Sequence, residues 1–285
     1  MIIHVAEERL VVVSDLHLGN PASHAAASLP GFLDFVRREG VALCINGDGF
    51  EMLQTRFSRL VREALPLMTQ ISRLRREGHR VYYIVGNHDI YVEHFLDEWL
   101  ATRICPFLNV TSGGKRIRIE HGHLYDPVFS RSPGLYESLT RLAGLALFVR
   151  PDVYQLWDSA AQRLDRGLRR WAHESDDDMT YHRAAGEVLR RGFDAVVYGH
   201  THRAETVQLA GGLYINSGSW LRACTTSRST RATSSSSSGA RAEPRWAPRS
   251  CLPPESHLGA VVELRHELPL RGGWGTWRCF PARHG

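Results

Sequence analysis

The chain has 285 residues, 43% of them hydrophobic, and no apolar run approaching the ~20 residues that a membrane-spanning helix needs, so a soluble protein with a sizeable core is expected. Its net charge of +5 is unevenly held: ten Arg against four Glu give residues 221–285 a charge of +6 and leave residues 1–220 at −1, which argues against a nucleic-acid-binding body. Five cysteines without C-x-x-C spacing argue against a disulfide framework and a cysteine zinc site, and an N-terminus interrupted by Glu7, Glu8 and Arg9 lacks the form of a cleaved signal peptide, so a cytoplasmic location is expected.

Taken in chain order, Leu10 to Val13 reads as a strand that breaks into a polar loop at Ser14. Leu29, Phe32, Leu33 and Val36 then recur at helical spacing and stop at Gly40. Val41 to Ile45 is a second strand, broken at Asn46-Gly47-Asp48. Residues 57–77 predict an amphipathic helix with Phe57, Leu60, Val61, Ala64, Leu65, Met68, Ile71 and Leu74 on its apolar face, and Val81 to Val85 a third strand that ends in Gly86-Asn87-His88-Asp89. This is βαβαβ, with polar groups at the C-terminal end of each strand, where open α/β sheets place their sites. Further on, Ile117 and Ile119 alternate with charges in a half-buried strand that breaks at His121; Ala195 to Tyr198 is a strand opening into Gly199–His202, followed by a hairpin about Gly211-Gly212.

Between His123 and Asp194 lies a helical stretch of different character, in which Val153, Trp157, Ala160, Leu164, Leu168 and Trp171 share a face flanked by Arg163, Arg166, Arg169 and Arg170. It reads either as a cap packed on the sheets or as a lipid or membrane-surface contact. The Ser-, Arg- and Pro-rich segment from residue 221 onward has the composition of a disordered tail. With one Lys against 34 Arg the gene is expected to be GC-rich, and a shifted reading frame is the alternative origin of that tail.

Five strand ends thus carry ligand-type side chains: Asp15 and His17, Asp48, Asn87 with His88 and Asp89, His121 with His123, and His200 with His202. Imidazole, carboxylate and one amide, without thiolate, suit Mn, Fe, Zn or Co. Their number suggests two divalent ions, one held by Asp15, His17 and His202, the other by Asn87, His121 and His200, with Asp48 bridging both. Such a pair clamps a phosphoryl oxygen and activates water for in-line attack, so phosphoester hydrolysis is the expected chemistry.

In order and spacing these motifs over residues 9–220 resemble the calcineurin-like metallophosphoesterase family. The resemblance implies an α/β fold, a four-layer αββα sandwich of two sheets flanked by helices, here with a helical insertion at about 130–190, and two divalent ions, Mn first among the candidates, on the seven residues just assigned. It further implies that His88 stabilises the phosphate oxyanion or protonates the leaving group. Asp89 is expected to orient His88 as a carboxylate commonly orients a catalytic imidazole, and His123 either contacts phosphate or is an ordinary loop residue. Within the family, "SDLHLG", "GDGFE", "GHTHR" and "SGSW" are most similar to the bacterial branch containing the UDP-2,3-diacylglucosamine hydrolases. The family resemblance implies first a metal-dependent hydrolase of a phosphodiester, phosphomonoester or pyrophosphate bond in a phosphorylated small molecule. The branch adds, as the alternative, a lipid-nucleotide substrate with acyl chains held by the insertion and a peripheral membrane contact, and a metal-retaining interaction module is a further alternative.

Overall fold

The computed structural model describes residues 3–89, 103–132, 134, 138, 140, 141, 176–221, 261–265 and 278–280. In chain order its strands are β1 (Ile3–Ala6), β2 (Arg9–Val13), β3 (Ala42–Asn46), β4 (Val81–Ile84), β5 (Arg103–Cys105), β6 (Phe107–Ser112), β7 (Lys115–Glu120), β8 (Ala195–Tyr198), β9 (Glu205–Leu209), β10 (Gly212–Asn216), β11 (Val261–Arg265) and β12 (Arg278–Phe280). Helices α1 (Ala25–Glu39), α2 (Phe57–Arg76), α3 (Pro127–Arg131) and α4 (Asp176–Arg190) connect them. The strands form two six-stranded sheets, one ordered β12-β11-β2-β3-β4-β5 and the other β1-β6-β7-β8-β10-β9.

The layering follows from the period-two geometry of a strand, which sends alternate side chains to opposite faces. Leu10, Val12, Ala42, Cys44, Tyr82 and Ile84 of the first sheet pack against Leu108, Val110, Ile117, Ile119, Ala195, Val197, Leu213 and Ile215 of the second. Their neighbours Val11, Val13, Leu43, Ile45, Val81 and Tyr83 face outward onto α1 and α2. On the far side Val196, Tyr198 and Tyr214 receive Tyr181, Ala185, Val188 and Leu189 of α4. The result is α/β in four layers, helix, sheet, sheet, helix. Because β2, β3 and β4 run parallel and are covered on both faces, they read as continuous apolar runs rather than as alternation.

Helix α1 buries Leu29, Phe32, Leu33 and Val36 and ends where Gly40 turns left-handed at φ 62°, a conformation glycine adopts without a Cβ penalty. Helix α2 departs from its expected face. It buries Leu60, Ala64, Leu67, Met68, Ile71 and Leu74, whereas Phe57, Val61 and Leu65 are 72%, 38% and 43% exposed. These three recur every fourth residue along one flank of the buried stripe, and apolar spacing does not reveal where such a stripe ends.

Strand β11 lies within the segment expected to lack structure. It pairs antiparallel with β2, Val262 opposite Val12 and Leu264 opposite Leu10, and sends Val262 and Leu264 into the core between the sheets. Residues 222–260, 266–277 and 281–285 lie outside the described residues, as do residues 142–175, which include the apolar face expected from Val153 to Trp171.

Candidate metal centre

Every expected ligand lies just past a strand's C-terminal end: Asp15 and His17 after β2, Asp48 after β3, Asn87 after β4, His121 after β7, His200 and His202 after β8. Three of those strands belong to one sheet and two to the other, so the loops meet over the seam between them. The chain there is bent in an unusual way. Among the described residues, the non-glycine positions with positive φ are Asp15 (52°), His17 (45°), Asp48 (51°), His200 (65°) and His202 (59°). Left-handed backbone costs a residue with a Cβ roughly 1–2 kcal/mol, and here it falls only on expected ligands. Inter-loop hydrogen bonds offset the cost: Asp15 N–H donates to Gly47 O at 3.1 Å, His17 N–H to Asp48 O at 2.9 Å, and Trp220 N–H to Asp15 O at 3.1 Å.

The expected ligands converge in two groups, and a third set, His17, Asp48 and His88, lies between them. In the first, His202 Nε2 is 3.1 Å and His17 Nε2 3.9 Å from Asp15 Oδ1, and the two imidazole nitrogens are 3.2 Å apart. In the second, ligand atoms of Asp48, His121 and His200 lie within 4.8 Å of one another. Asp48 Oδ2 is 3.3 Å from His121 Nε2 and 3.9 Å from His17 Nε2, a position between the groups that suits a bridge. Asn87 is buried in the loop that approaches Asp48, since His88 N–H donates to Asp48 Oδ1 at 2.9 Å.

The donor set fits divalent cations. His121 Nε2 is buried without a well-formed hydrogen bond, while its Nδ1–H donates to Asn46 O at 2.8 Å, so that in the neutral ring, once a cation has displaced its second proton, Nε2 is the lone-pair nitrogen. His17 is arranged likewise, its Nδ1–H donating to Glu51 Oε2 at 3.0 Å while Nε2 faces His202. Small residues let the loops close this tightly. A Cβ on Gly86 would overlap Asp48 Oδ1, and one on Gly199 would crowd Asp15 Oδ2 and Ser14.

His88 stands beside this cluster, its ring edge-on to His17 at 4.8 Å between centroids. The residue that orients it is Glu51, not Asp89. His88 Nδ1 donates to Glu51 Oε1 at 2.7 Å, and the same fully buried carboxylate accepts from Leu53 N–H and Gln54 N–H at 3.1 and 3.0 Å. Asp89 folds back on its own turn instead. It accepts from Gly86 N–H at 2.7 Å and Gly49 N–H at 2.8 Å, together with the Tyr83 hydroxyl, and so pins the loops after β3 and β4 together. A short Asp three residues past a glycine satisfies local N–H groups more readily than it reaches the neighbouring imidazole. Glu51 carried one sequence signal, its place in "GDGFE" three residues past Asp48. Asp126, which lies 3.0 Å from His200 Nε2, carried none.

The electrostatics follow from burial and crowding. Burial pushes Asp15 up, but His121 and His202 outweigh it and hold the carboxyl at about 2. Asp48 and Glu51 are likewise held well down, by His121 and His88 respectively, against the effect of burial. Burial disfavours charge on His88, yet Glu51 and Asp48 raise it to about 9. His121 is raised to about 9 by Asp48 and Asp15. Burial and two neighbouring imidazoles lower His123 to about 3, so it is neutral. Asp89 is raised to about 6 by burial and by repulsion from Asp48.

A chain with these strand ends, two packed sheets and a clustered Asp/His set belongs to the calcineurin-like phosphoesterase family, whose model matches residues 8–204. Among individual proteins, the chain is 27% identical over 209 residues to the UDP-2,3-diacylglucosamine hydrolase of Pseudomonas putida (strain F1), an alignment covering 68% of this chain and 82% of that one. The protein of the same name from Porphyromonas gingivalis is 26% identical over 120 residues, 40% of this chain and 45% of its own length. Among solved structures, Yfce, a phosphoesterase from E. coli, aligns with 74% of this chain and 79% of its own at 21% identity and a TM-score of 0.37.

Proposed function

We propose that this chain is a metal-dependent phosphoesterase in which Asp15, His17 and His202 hold one divalent ion, Asn87, His121 and His200 a second, and Asp48 bridges them. The observation that carries this reading is the convergence of the Asp15 and Asp48 clusters from two sheets onto one seam, with Asp48 Oδ2 between them. When bound, two such ions supply positive charge to a phosphoryl group and lower the pKa of a coordinated water. Imidazole and carboxylate without thiolate suit Mn, Fe, Zn or Co, and Mn is the first to test. The remaining roles belong to the protein. His88, charged at neutral pH through its Glu51 and Asp48 neighbours, points Nδ1 at Glu51, which leaves Nε2–H to stabilise a phosphoryl oxygen or to protonate a departing one. Asp89 holds the loop that carries Asn87 and His88 in place.

For the substrate, the names of the relatives favour a lipid nucleotide, UDP-2,3-diacylglucosamine, cleaved at its pyrophosphate. On that reading the insertion receives the acyl chains and makes a peripheral contact with the cytoplasmic face of a membrane; no helix among the described residues is long and apolar enough to cross one. The test is UMP release from UDP-2,3-diacylglucosamine with Mn²⁺, beside bis-p-nitrophenyl phosphate and the Asp48→Ala variant. Release that depends on Asp48 supports the lipid-nucleotide substrate, and turnover of the simple diester alone supports a phosphoesterase of other small molecules. Binding of two ions with turnover of neither substrate would overturn the enzymatic reading in favour of a metal-retaining interaction module.

A further inference from the structure

His200 differs from the other histidines of the cluster in which nitrogen it engages. His17 and His121 donate through Nδ1, whereas His200 turns Nε2 to Asp126 Oδ2 at 3.0 Å. A carboxylate only accepts, so Nε2 carries the proton of the neutral ring and Nδ1 is left as its lone-pair nitrogen. The residue's backbone is held as well, because the main-chain N–H of His200 donates to Asp15 Oδ2 at 3.1 Å. Both side chains are largely withdrawn from solvent, at 7% exposure for His200 and 21% for Asp126.

Asp126 is also tied elsewhere. Its Oδ1 accepts from Phe129 N–H at 3.2 Å and its carbonyl from Ser130 N–H at 2.8 Å, so the same residue caps α3, the first α-helix after β7 on the way into the insertion. One carboxylate therefore joins a candidate ligand from β8 to the root of the insertion, 74 residues away in sequence.

We infer that Asp126 is a positioning residue: it selects the His200 tautomer that offers Nδ1 to the second ion and couples the placement of α3 to that ion's affinity. The inference rests on the two-ion reading above. Removing such a partner from a ligating histidine commonly lowers metal affinity by about 10–100-fold.

The test is calorimetric titration of the metal-free full chain with Mn²⁺. Asp126→Ser keeps an oxygen able to cap α3 but does not reach His200. It should retain the wild-type melting temperature without metal, bind the first ion as wild type does and bind the second about 10–100-fold more weakly. Asp126→Asn, whose side-chain oxygen accepts from Nε2–H, should recover part of that loss. A role confined to capping, which Ser preserves, would instead leave the melting temperature and both affinities as in wild type. If wild type binds two ions and the Asp126→Ser variant binds both within threefold of wild type, the inference is overturned. If wild type binds fewer than two ions, the two-ion reading fails first.

Discussion

At the scale of single residues, variants of Asp48 and His88 test the proposed division between metal binding and proton transfer. Asp48 lies against both groups of ligands, so Asp48→Ala should remove both ions and all activity, as metal analysis and turnover of a simple diester would show. His88→Ala should keep its metal and lose about 10²–10⁴-fold in kcat, the usual worth of a positioned acid. Glu51→Gln should fall in the same direction by less, since the amide still accepts from Nδ1. If His88→Ala instead lost metal, its assignment outside the ligand set would be wrong. A pH dependence follows from His121 and His88, both raised from 6.5 to about 9 by buried carboxylates. Their ion pairs are complete below pH 6.5 and are lost as pH rises through 9, so the metal-free protein should melt at progressively lower temperature across that window. Mn²⁺ affinity should rise over the same range, because an ion must displace the His121 proton. The two trends run in opposite directions, and measuring both on one preparation distinguishes them from a general alkaline instability.

Among the elements, the glycines that end strands set how closely the loops approach. Gly86→Ala would drive a Cβ into Asp48 Oδ1, and the expected outcome is a folded protein with sharply weakened metal binding, read by circular dichroism and metal content together. The strands themselves were legible in the sequence because β2, β3 and β4 are apolar runs that stop at a polar residue, and the convergence of Asp, Asn and His side chains was legible because they follow those stops. Side-chain partners were not. Glu51 and His88 are 37 residues apart, Asp126 and His200 are 74 apart, and no local period reports a contact between loops. The misplaced flank of α2 has a related cause, since the residues that cover one side of a stripe lie far away in the chain. Strand β11 was hidden by its surroundings: "VVELR" alternates as a strand should, but it follows a long Ser- and Arg-rich stretch whose composition dominated the reading.

For the molecule as a whole, β11 closes what would otherwise be an open edge on β2. A chain ending at residue 221 should lose the burial of Val262 and Leu264, together about 3–6 kcal/mol, and expose unpaired backbone that invites association; a lower melting temperature and early elution from a sizing column would register both. The seam between the sheets has a wider consequence. On the proposed assignment Asp15, His17, Asp48 and Asn87 ride on one sheet and His121, His200 and His202 on the other, so neither sheet alone would own a complete coordination sphere. An ion held across that seam works as a clasp: it rewards the docked arrangement, and chelation should loosen the fit of sheet on sheet before it unravels either one. During refolding, a cobalt absorption band would then behave as a late clock, silent while each sheet forms and appearing only when the two have found their final register.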